Sequence, residues 1–430
     1  MTRRTTVKKI KLSMVTAAVS LLVANEASAA NTWTEARGDA MGGTGVASAH
    51  YGSGVLINPA LLAKAKPEDD ITVIFPTVGA QISDKDNLQD QIDDISDRIN
   101  YYQNVIDDFG PEDLLNINQS LQQFQNAAGE LADQLEDLDG KVATARAGVG
   151  FAVSIPNDVL SVAFMAKGYA HARVSSWIDP NDISYLRGIE GSDLRAAAVA
   201  TDAIINGTDR ITDNLNSTGF GRAAIVSDYG VAFAKQFEIG DVPVSFGVTP
   251  KLQKTWLYNY TVPIYAYESS DWNNSRYRTD DTGFNIDAGL AADFGENFTV
   301  GLSGQNLVSR DIDTKVVNGY RDTYQIAPLV TAGVAWNTER LTLTADGDLT
   351  ETKGFKSEEN SQYAGVGAEV RPLSWLAVRA GYRADIKGND NDVFTAGLGF
   401  SPLNRVHIDL TGIVGEKETW GAGAQLKVTF

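Results

Sequence analysis

The last eleven residues, WGAGAQLKVTF (420–430), alternate between apolar positions and positions that are polar or glycine. The even positions carry Trp420, Ala422, Ala424, Leu426, Val428 and Phe430. Because successive side chains of a strand point to opposite faces, this stretch predicts a strand with one apolar and one polar face. A strand of a soluble β-sandwich shows the same pattern, so the segment alone leaves both folds open.

Alternating segments recur along the chain and favour a membrane barrel. Fourteen of them are found, near 71–81, 142–155, 159–174, 219–238, 242–260, 282–294, 297–309, 324–337, 340–350, 361–371, 375–385, 392–401, 404–414 and 418–430. Their connections are alternately long and short, and the short ones are 156–158, 240–241, 295–296, 338–339, 372–374 and 402–403. An even strand number with short turns at one rim and long loops at the other is typical of outer-membrane proteins. The sequence therefore predicts an all-β fold, a 14-stranded transmembrane outer-membrane β-barrel.

A tilt of about 40° would let the terminal strand rise roughly 25 Å, the height of the lipid-facing apolar band. Trp420 and Phe430 would then lie at the two membrane interfaces. The charged residues of the C-terminal strands fall on the opposite face, which we assign to the lumen. These residues are Glu369, Arg379, Arg383, His407, Asp409 and Lys427.

The N-terminus resembles a secretory signal peptide. A basic head is followed by an apolar run, Leu12–Ala24, and by the small residues Ala27 and Ala29 of a cleavage site. The apolar run is 13 residues long, whereas a membrane-spanning helix needs about 20. We predict that residues 1–29 are removed on export to the bacterial outer membrane; a retained anchor is the alternative.

Composition argues against several function classes. The formal net charge of −19 argues against direct binding of nucleic acid, which needs a basic surface. The chain has no cysteine and three widely separated histidines, so we expect no cofactor and no metal site. His407 and Asp409 share one face, but without a neighbouring nucleophile we interpret them as a structural hydrogen-bond network and expect no enzyme.

The first long connection, residues 83–140, has a helical pattern. Apolar residues recur every three or four positions on both sides of Gly110-Pro111, which predicts an antiparallel coiled hairpin. Between Asp84 and Asp139 there are fifteen acidic and two basic residues, a net charge of −13. Such a surface is either a solvated helical face or an interaction site for a surface or conjugation partner.

Two stretches near the N-terminus carry a family resemblance. The segment EARGDAMGGTGVAS (35–48) and the motif NPALL (58–62) resemble the N-terminus of outer-membrane barrels related to the long-chain fatty acid transporter FadL. The resemblance implies that residues 30–70 form a plug inside a barrel of residues 71–430. The plug motif residues are Gly42, Gly43, Gly45, Asn58, Pro59 and Ala60. It also implies that the barrel assembly machinery recognises the terminal strand through Trp420, Leu426, Val428 and Phe430.

With its acidic insertion, the chain most resembles the conjugal transfer protein TraF-like branch of that superfamily. The branch implies an envelope or surface factor in plasmid transfer that acts through loops and the acidic hairpin. The wider superfamily implies the alternative, passive transport of hydrophobic small molecules. In both cases the expected surroundings are outer-membrane lipid and lipopolysaccharide.

Overall fold

The computed structural model describes residues 34–65, 69–84, 88–108, 117–206, 215–266, 274–402, 405–416 and 418–430. The predicted signal segment, with Ala27 and Ala29, lies outside the described residues.

A closed antiparallel barrel forms the body of the molecule. Its fourteen strands are β1 (Thr72–Asp84), β2 (Val142–Ile155), β3 (Ser161–Trp177), β4 (Thr218–Ile239), β5 (Val242–Pro263), β6 (Arg278–Phe294), β7 (Phe298–Gln305), β10 (Leu329–Asn337), β11 (Leu341–Asp348), β12 (Tyr363–Leu373), β13 (Leu376–Asp385), β14 (Val393–Phe400), β15 (Val406–Gly415) and β16 (Thr419–Thr429). Strands β8 (Arg310–Asp313) and β9 (Thr323–Ile326) do not belong to the ring and form a small sheet of their own. Each barrel strand pairs with the next barrel strand along the chain, and β1 closes the ring against β16. The predicted strand number is therefore confirmed.

The apolar faces of the strands point outward. In β16 the odd positions Gly421, Gln425 and Lys427 are buried, whereas Trp420 is 38% exposed. The same parity holds in β15, where Asp409 is buried and Leu410 is exposed. Exposed apolar side chains of a barrel form its lipid-facing belt.

One predicted strand is divided in two. The sequence predicted a single strand over 324–337, but the chain leaves the barrel before Leu329 and β9 (Thr323–Ile326) pairs with β8 (Arg310–Asp313). Pro328 lies at the division, and proline cannot donate a hydrogen bond to a neighbouring strand. Strand β8 lies in the predicted connection between 309 and 324, and the small sheet buries Ile312, Tyr324 and Ile326 against Leu257 and Phe355.

Six α-helices accompany the barrel in the described parts of the chain. They are α1 (Ala36–Asp39), α2 (Tyr51–Gly54), α3 (Leu88–Asp107), α4 (Ile117–Leu138), α5 (Pro180–Glu190) and α6 (Asp193–Asn206), and a 3-10 turn covers Pro59–Lys64. No helix among the described residues is long and apolar enough to cross a membrane.

Helices α3 and α4 occupy the connection in which the hairpin was predicted. Residue 83, the predicted start of the insertion, still lies in β1, which continues to Asp84. Between the helices, the rings of Tyr102 and Phe124 are 5.1 Å apart, and Ile99 and Leu131 are buried beside them. The predicted positions Leu114 and the side chains of Ile92 and Ile117 lie outside the described residues.

The second long connection folds onto the hairpin. Helix α5 begins at Asp179-Pro180, where the Asp179 carboxylate accepts a hydrogen bond from the Asn181 backbone at 2.9 Å. Leu186 and Ala196 of α5 and α6 are fully buried in the same apolar core as α3 and α4. Helices α5 and α6 therefore pack on the hairpin. We call α3–α6 the helical domain.

Candidate functional site

Residues 34–65 lie inside the barrel, and we call them the plug segment. Met41, Leu56 and Leu62 are almost completely buried, and so are the backbones around them. The Ala36 backbone nitrogen donates to Gln425 of β16 at 3.0 Å, and its carbonyl accepts from Thr411 of β15 at 2.6 Å. Since Gln425 and Thr411 face the lumen, the segment is fixed to the inner wall.

Glycines on the inner wall make this close packing possible. A Cβ at Gly365, Gly381 or Gly301 would lie under 3.0 Å from plug backbone atoms. Contacts this short do not occur for real side chains. The glycines of the barrel strands are therefore as necessary for the plug as the glycines of the plug itself.

Gly42 and Gly43 form the turn that places the plug against β12 and β13. Their φ angles are +75° and +76°, which are unfavourable for residues with a Cβ. After the turn, the backbone nitrogens of Gly45 and Val46 donate to one oxygen of Asp346, at 2.7 and 2.9 Å. Asp346 was not among the predicted site residues, because the sequence of β11 does not indicate that Asp346 accepts hydrogen bonds from the plug.

Asn58 connects two parts of the plug to the wall. Its side-chain nitrogen donates to the carbonyls of Val46, at 2.8 Å, and of Leu290 in β6, at 3.1 Å. Its side-chain oxygen accepts from the Ala60 backbone at 3.1 Å, which caps the 3-10 turn that begins at Pro59. The Asn-Pro-Ala motif thus defines a rigid corner of the plug.

A cluster of charges joins the plug to β12, β13 and β15. Glu369 is 1% exposed and accepts from Arg37 of the plug at 2.9 and 3.3 Å, from Arg379 at 2.6 Å, and from Arg371. Arg379 also donates to Asp409 at 2.7 Å. Arg37 was missed from the sequence, although it is the one basic residue of the glycine-rich segment 35–48. We call Arg37, Arg371, Arg379, Glu369 and Asp409 the plug latch.

The other predicted lumen charges are Arg383, His407 and Lys427. Arg383 donates to Gln81 at 3.1 Å and lies over the ring of Tyr363. His407 hydrogen-bonds to Ser401 at 2.6 Å, and Lys427 is opposite His407 on the paired strand. Of the six predicted lumen charges, Glu369, Arg379 and Asp409 belong to the latch.

A second buried ion cluster was not predicted. Lys251 is fully buried and donates to Asp228 at 2.7 Å and to Asp287 at 3.0 Å. Beside it, Lys167 donates to the Leu56 carbonyl of the plug at 3.3 Å. The sequence did contain a signal for this cluster, namely charged residues in the middle of long strands, which only the lumen face of a barrel tolerates.

The helical domain presents a strongly acidic surface. Exposed carboxylates of α3 and α4 include Asp94, Asp97 and Asp137. Arg187 of α5 pairs with Asp133 at 2.5 Å and with Glu136 at 2.8 Å. These contacts hold α5 on the hairpin and leave the acidic character of the domain largely uncompensated.

The terminal strand closes the barrel with its last residue at the surface. The Phe430 backbone nitrogen donates to the Ile71 carbonyl at 2.8 Å, and its side chain is 56% exposed. Leu426 and Val428 lie on the same outward face as Trp420.

An apolar groove lies where β1 departs from regular pairing. The register of β1 shifts between Ile74 and Thr77 against β2, and between Ile74 and Val78 against β16. Pro76 lies in this stretch and has no N–H to pair. The groove has a volume of about 780 Å³, and its lining includes Val78, Phe151 and Tyr229.

Comparison with solved structures supports the fold. The Ralstonia pickettii toluene transporter TbuX matches with a TM-score of 0.51 and 11% identity over 93% of this chain and 99% of that one. The Pseudomonas putida toluene transporter TodX matches with a TM-score of 0.47 and 14% identity over 93% and 98% of the two chains. A Pseudomonas aeruginosa FadL homologue matches with a TM-score of 0.47 and 11% identity over 92% and 98%. The match to TbuX indicates that the two chains share the same barrel fold.

No significant match is found among curated proteins. The family model described as "F plasmid transfer operon, TraF, protein" matches residues 55–348, more than half of the chain. This match includes the end of the plug, the helical domain and the strands from β1 to β11. The chain therefore belongs to the TraF family of the F plasmid transfer operon.

Proposed function

We propose that the protein is an exported outer-membrane factor of plasmid conjugal transfer, which contacts a basic partner at the cell surface through its helical domain. The single observation that carries this proposal is the acidic helical domain itself. The family description supports an association with plasmid transfer. The barrel fold supports placement in the outer membrane, with lipid and lipopolysaccharide around it.

We infer the side of the membrane on which the helical domain lies from the lengths of the connections. Barrels of this type have short periplasmic turns and long extracellular loops. The helical domain is built from two of the long connections, β1–β2 and β3–β4, so it belongs on the extracellular side.

The acidic surface suits a basic partner. Opposite charges steer association and increase its rate, and the effect decreases with ionic strength. The charges that do this are those outside the ion pairs of Arg187, because Asp133 and Glu136 are already paired with that arginine.

Neutralisation of the exposed carboxylates tests the contact role. The triple variant Asp94→Asn, Asp97→Asn and Asp137→Asn keeps side-chain size and removes three charges. We expect plasmid transfer between mating cells to decrease at least tenfold, and attachment between the cells to decrease with it.

The matched control removes three exposed carboxylates from the short turns, through Asp241→Asn, Glu296→Gln and Glu339→Gln. Equal transfer by wild type, by the test variant and by the control, at equal amounts of folded protein, would refute the contact role.

Passive transport of a hydrophobic small molecule is a second candidate function, which the apolar groove at the break in β1 favours. A molecule in the groove would contact Val78 and Phe151 from the lipid side. Replacing Val78 with Asn should then slow uptake of a hydrophobic solute by whole cells, whereas transport through another route would leave uptake unchanged.

A further inference from the structure

Two of the long connections come together and form one unit. The first joins β7 to β10 and carries β8 and β9, and the second joins β11 to β12. A backbone hydrogen bond of 2.9 Å from Gln325 in β9 to the Gly354 carbonyl holds the two connections together. The rings of Tyr324 and Phe355, at the same junction, are 5.1 Å apart. We call residues 310–326 and 352–361 the lumen cap.

The lumen cap packs against the inner faces of β3, β4 and β5. Lys167 of β3, Asp228 of β4 and Lys251 of β5 face the lumen, and so do the residues at alternate positions from them. Four of these lumen-facing residues form one apolar cluster with four residues of the cap. The members are Tyr169, Ala224, Val226 and Leu257 of the wall and Ile312, Tyr324, Ile326 and Phe355 of the cap. All of them are at most 8% exposed, so the contact is closed to bulk water.

Polar contacts fix the cap to the same wall. Arg222 of β4 forms an ion pair with Asp322 of the cap at 3.1 Å, and the two side chains are 12% and 5% exposed. His171 of β3 bonds to Glu358 of the cap at 2.9 Å. The Asn259 side chain of β5 donates to two backbone carbonyls of the cap, at 2.9 and 3.0 Å. Three neighbouring strands therefore hold the cap in place.

The cap and the plug segment occupy different levels of the lumen. Along β3, Lys167 donates to the Leu56 carbonyl of the plug at 3.3 Å, whereas Tyr169 and His171 contact the cap. Since β3 runs toward the connection that carries α5 and α6, the cap lies nearer to the helical domain than this part of the plug does. A cavity of about 130 Å³ has residues of both segments in its lining. The lumen is therefore filled at two levels.

Each half of the cap begins and ends at barrel strands that are already paired. Strands β7 and β10 pair at Gln305 and Leu329, and β11 and β12 pair at Gly347 and Ala364. Movement of the cap out of the lumen would therefore leave the pairing of the ring intact.

We propose that the lumen cap is a lid, the second of two seals that close the lumen in series with the plug segment. A water-filled barrel conducts ions and small solutes, whereas a barrel with protein in its lumen is blocked. Each seal limits the conductance while the other is displaced, so a wide path needs both to move. The proposal is independent of the contact role of the helical domain, because it concerns the lumen alone.

Single-channel conductance in planar bilayers tests the series arrangement. Deletion of residues 308–326 removes β8 and β9 and leaves residues 306, 307, 327 and 328 as a loop between the paired ends of β7 and β10. This variant is compared with wild type, with deletion of residues 31–66, and with both deletions together. Because the cap still limits the plug-deleted barrel, the double deletion should conduct at least tenfold more than the plug deletion alone. Equal conductance of the double deletion and of either single deletion would overturn the proposal, since one segment alone would then control the path.

A point variant gives the same test without a deletion in the cap. In the plug-deleted barrel, Ile312→Asp places a carboxylate in the apolar cluster, where it has no compensating partner, and should displace the cap. We expect the conductance to rise at least threefold. Val316→Asp, at a 64% exposed position of the same connection, is the matched control and should leave the conductance unchanged. Heat-modifiable gel mobility establishes that the barrels are folded, and equal conductance of the two folded variants would refute the role of the cap as a seal.

Discussion

Removing the charge of Glu369 should release the plug segment. This carboxylate accepts hydrogen bonds from three arginines, and Arg37 is the one that belongs to the plug. Both members of the Arg37–Glu369 pair are largely buried, with 11% and 1% of their side chains exposed. Loss of one partner from a buried ion pair costs about 3–5 kcal/mol. Taking about 3 kcal/mol, the population of undocked plug rises more than a hundredfold.

The labelling rate of a buried thiol measures this population. The protein has no cysteine, and Ser53 of the plug is completely buried, so Ser53→Cys introduces a single near-isosteric probe. When opening is rapid, the labelling rate is proportional to the open population. We expect Glu369→Gln to raise the rate at least a hundredfold over the Ser53→Cys background.

Two controls complete the experiment. Glu296→Gln should leave the labelling rate unchanged, and heat-modifiable mobility shows that the barrel remains folded. In a double-mutant cycle with Arg37→Gln, the two effects should be less than additive, because they remove the same contact. A labelling rate within threefold of the background, in a folded Glu369→Gln barrel, would refute the role of the latch.

Three further predictions concern the barrel and the plug. Gly381→Val should raise the single-channel conductance in planar bilayers, because its side chain would collide with the plug backbone, whereas Gly412→Val, at a position with open space, should leave it unchanged. Deletion of residues 31–66 should also raise the conductance of a barrel that still folds; an unchanged conductance would contradict the assignment of these residues as a plug. Deletion of Phe430, or Phe430→Asp, should reduce folded protein in the outer membrane several-fold, and wild-type amounts would exclude a role of this residue in assembly.

The barrel could be predicted from the sequence because alternation is a local property of each strand. Leu410 and Trp420 occupy even positions, whereas Asp409 and Lys427 occupy odd ones. This alternation defines a lipid face and a lumen face even when the neighbouring strands are not known. The division at Pro328 was the main local error, since the apolar pattern continues across the residue that interrupts the pairing.

The candidate site was less predictable, because its contacts join residues far apart in the chain. Glu369 was assigned to the lumen by parity, but its partner Arg37 lies 332 positions away. Similarly, the glycine pattern suggested a plug, while the acceptor for its turn, Asp346, could be identified only from the closed barrel. Parity specifies which face a side chain is on and contains no information on the residue that it meets across the lumen.

We propose that the barrel lies in the outer membrane and presents the helical domain at the cell surface. Gly110→Cys, at a position that lies between α3 and α4 in the sequence, introduces the only thiol of the protein. Intact cells treated with a membrane-impermeant thiol reagent should label this residue as completely as cells with a permeabilised outer membrane. Labelling only after permeabilisation would place the helical domain in the periplasm and contradict its position at the cell surface.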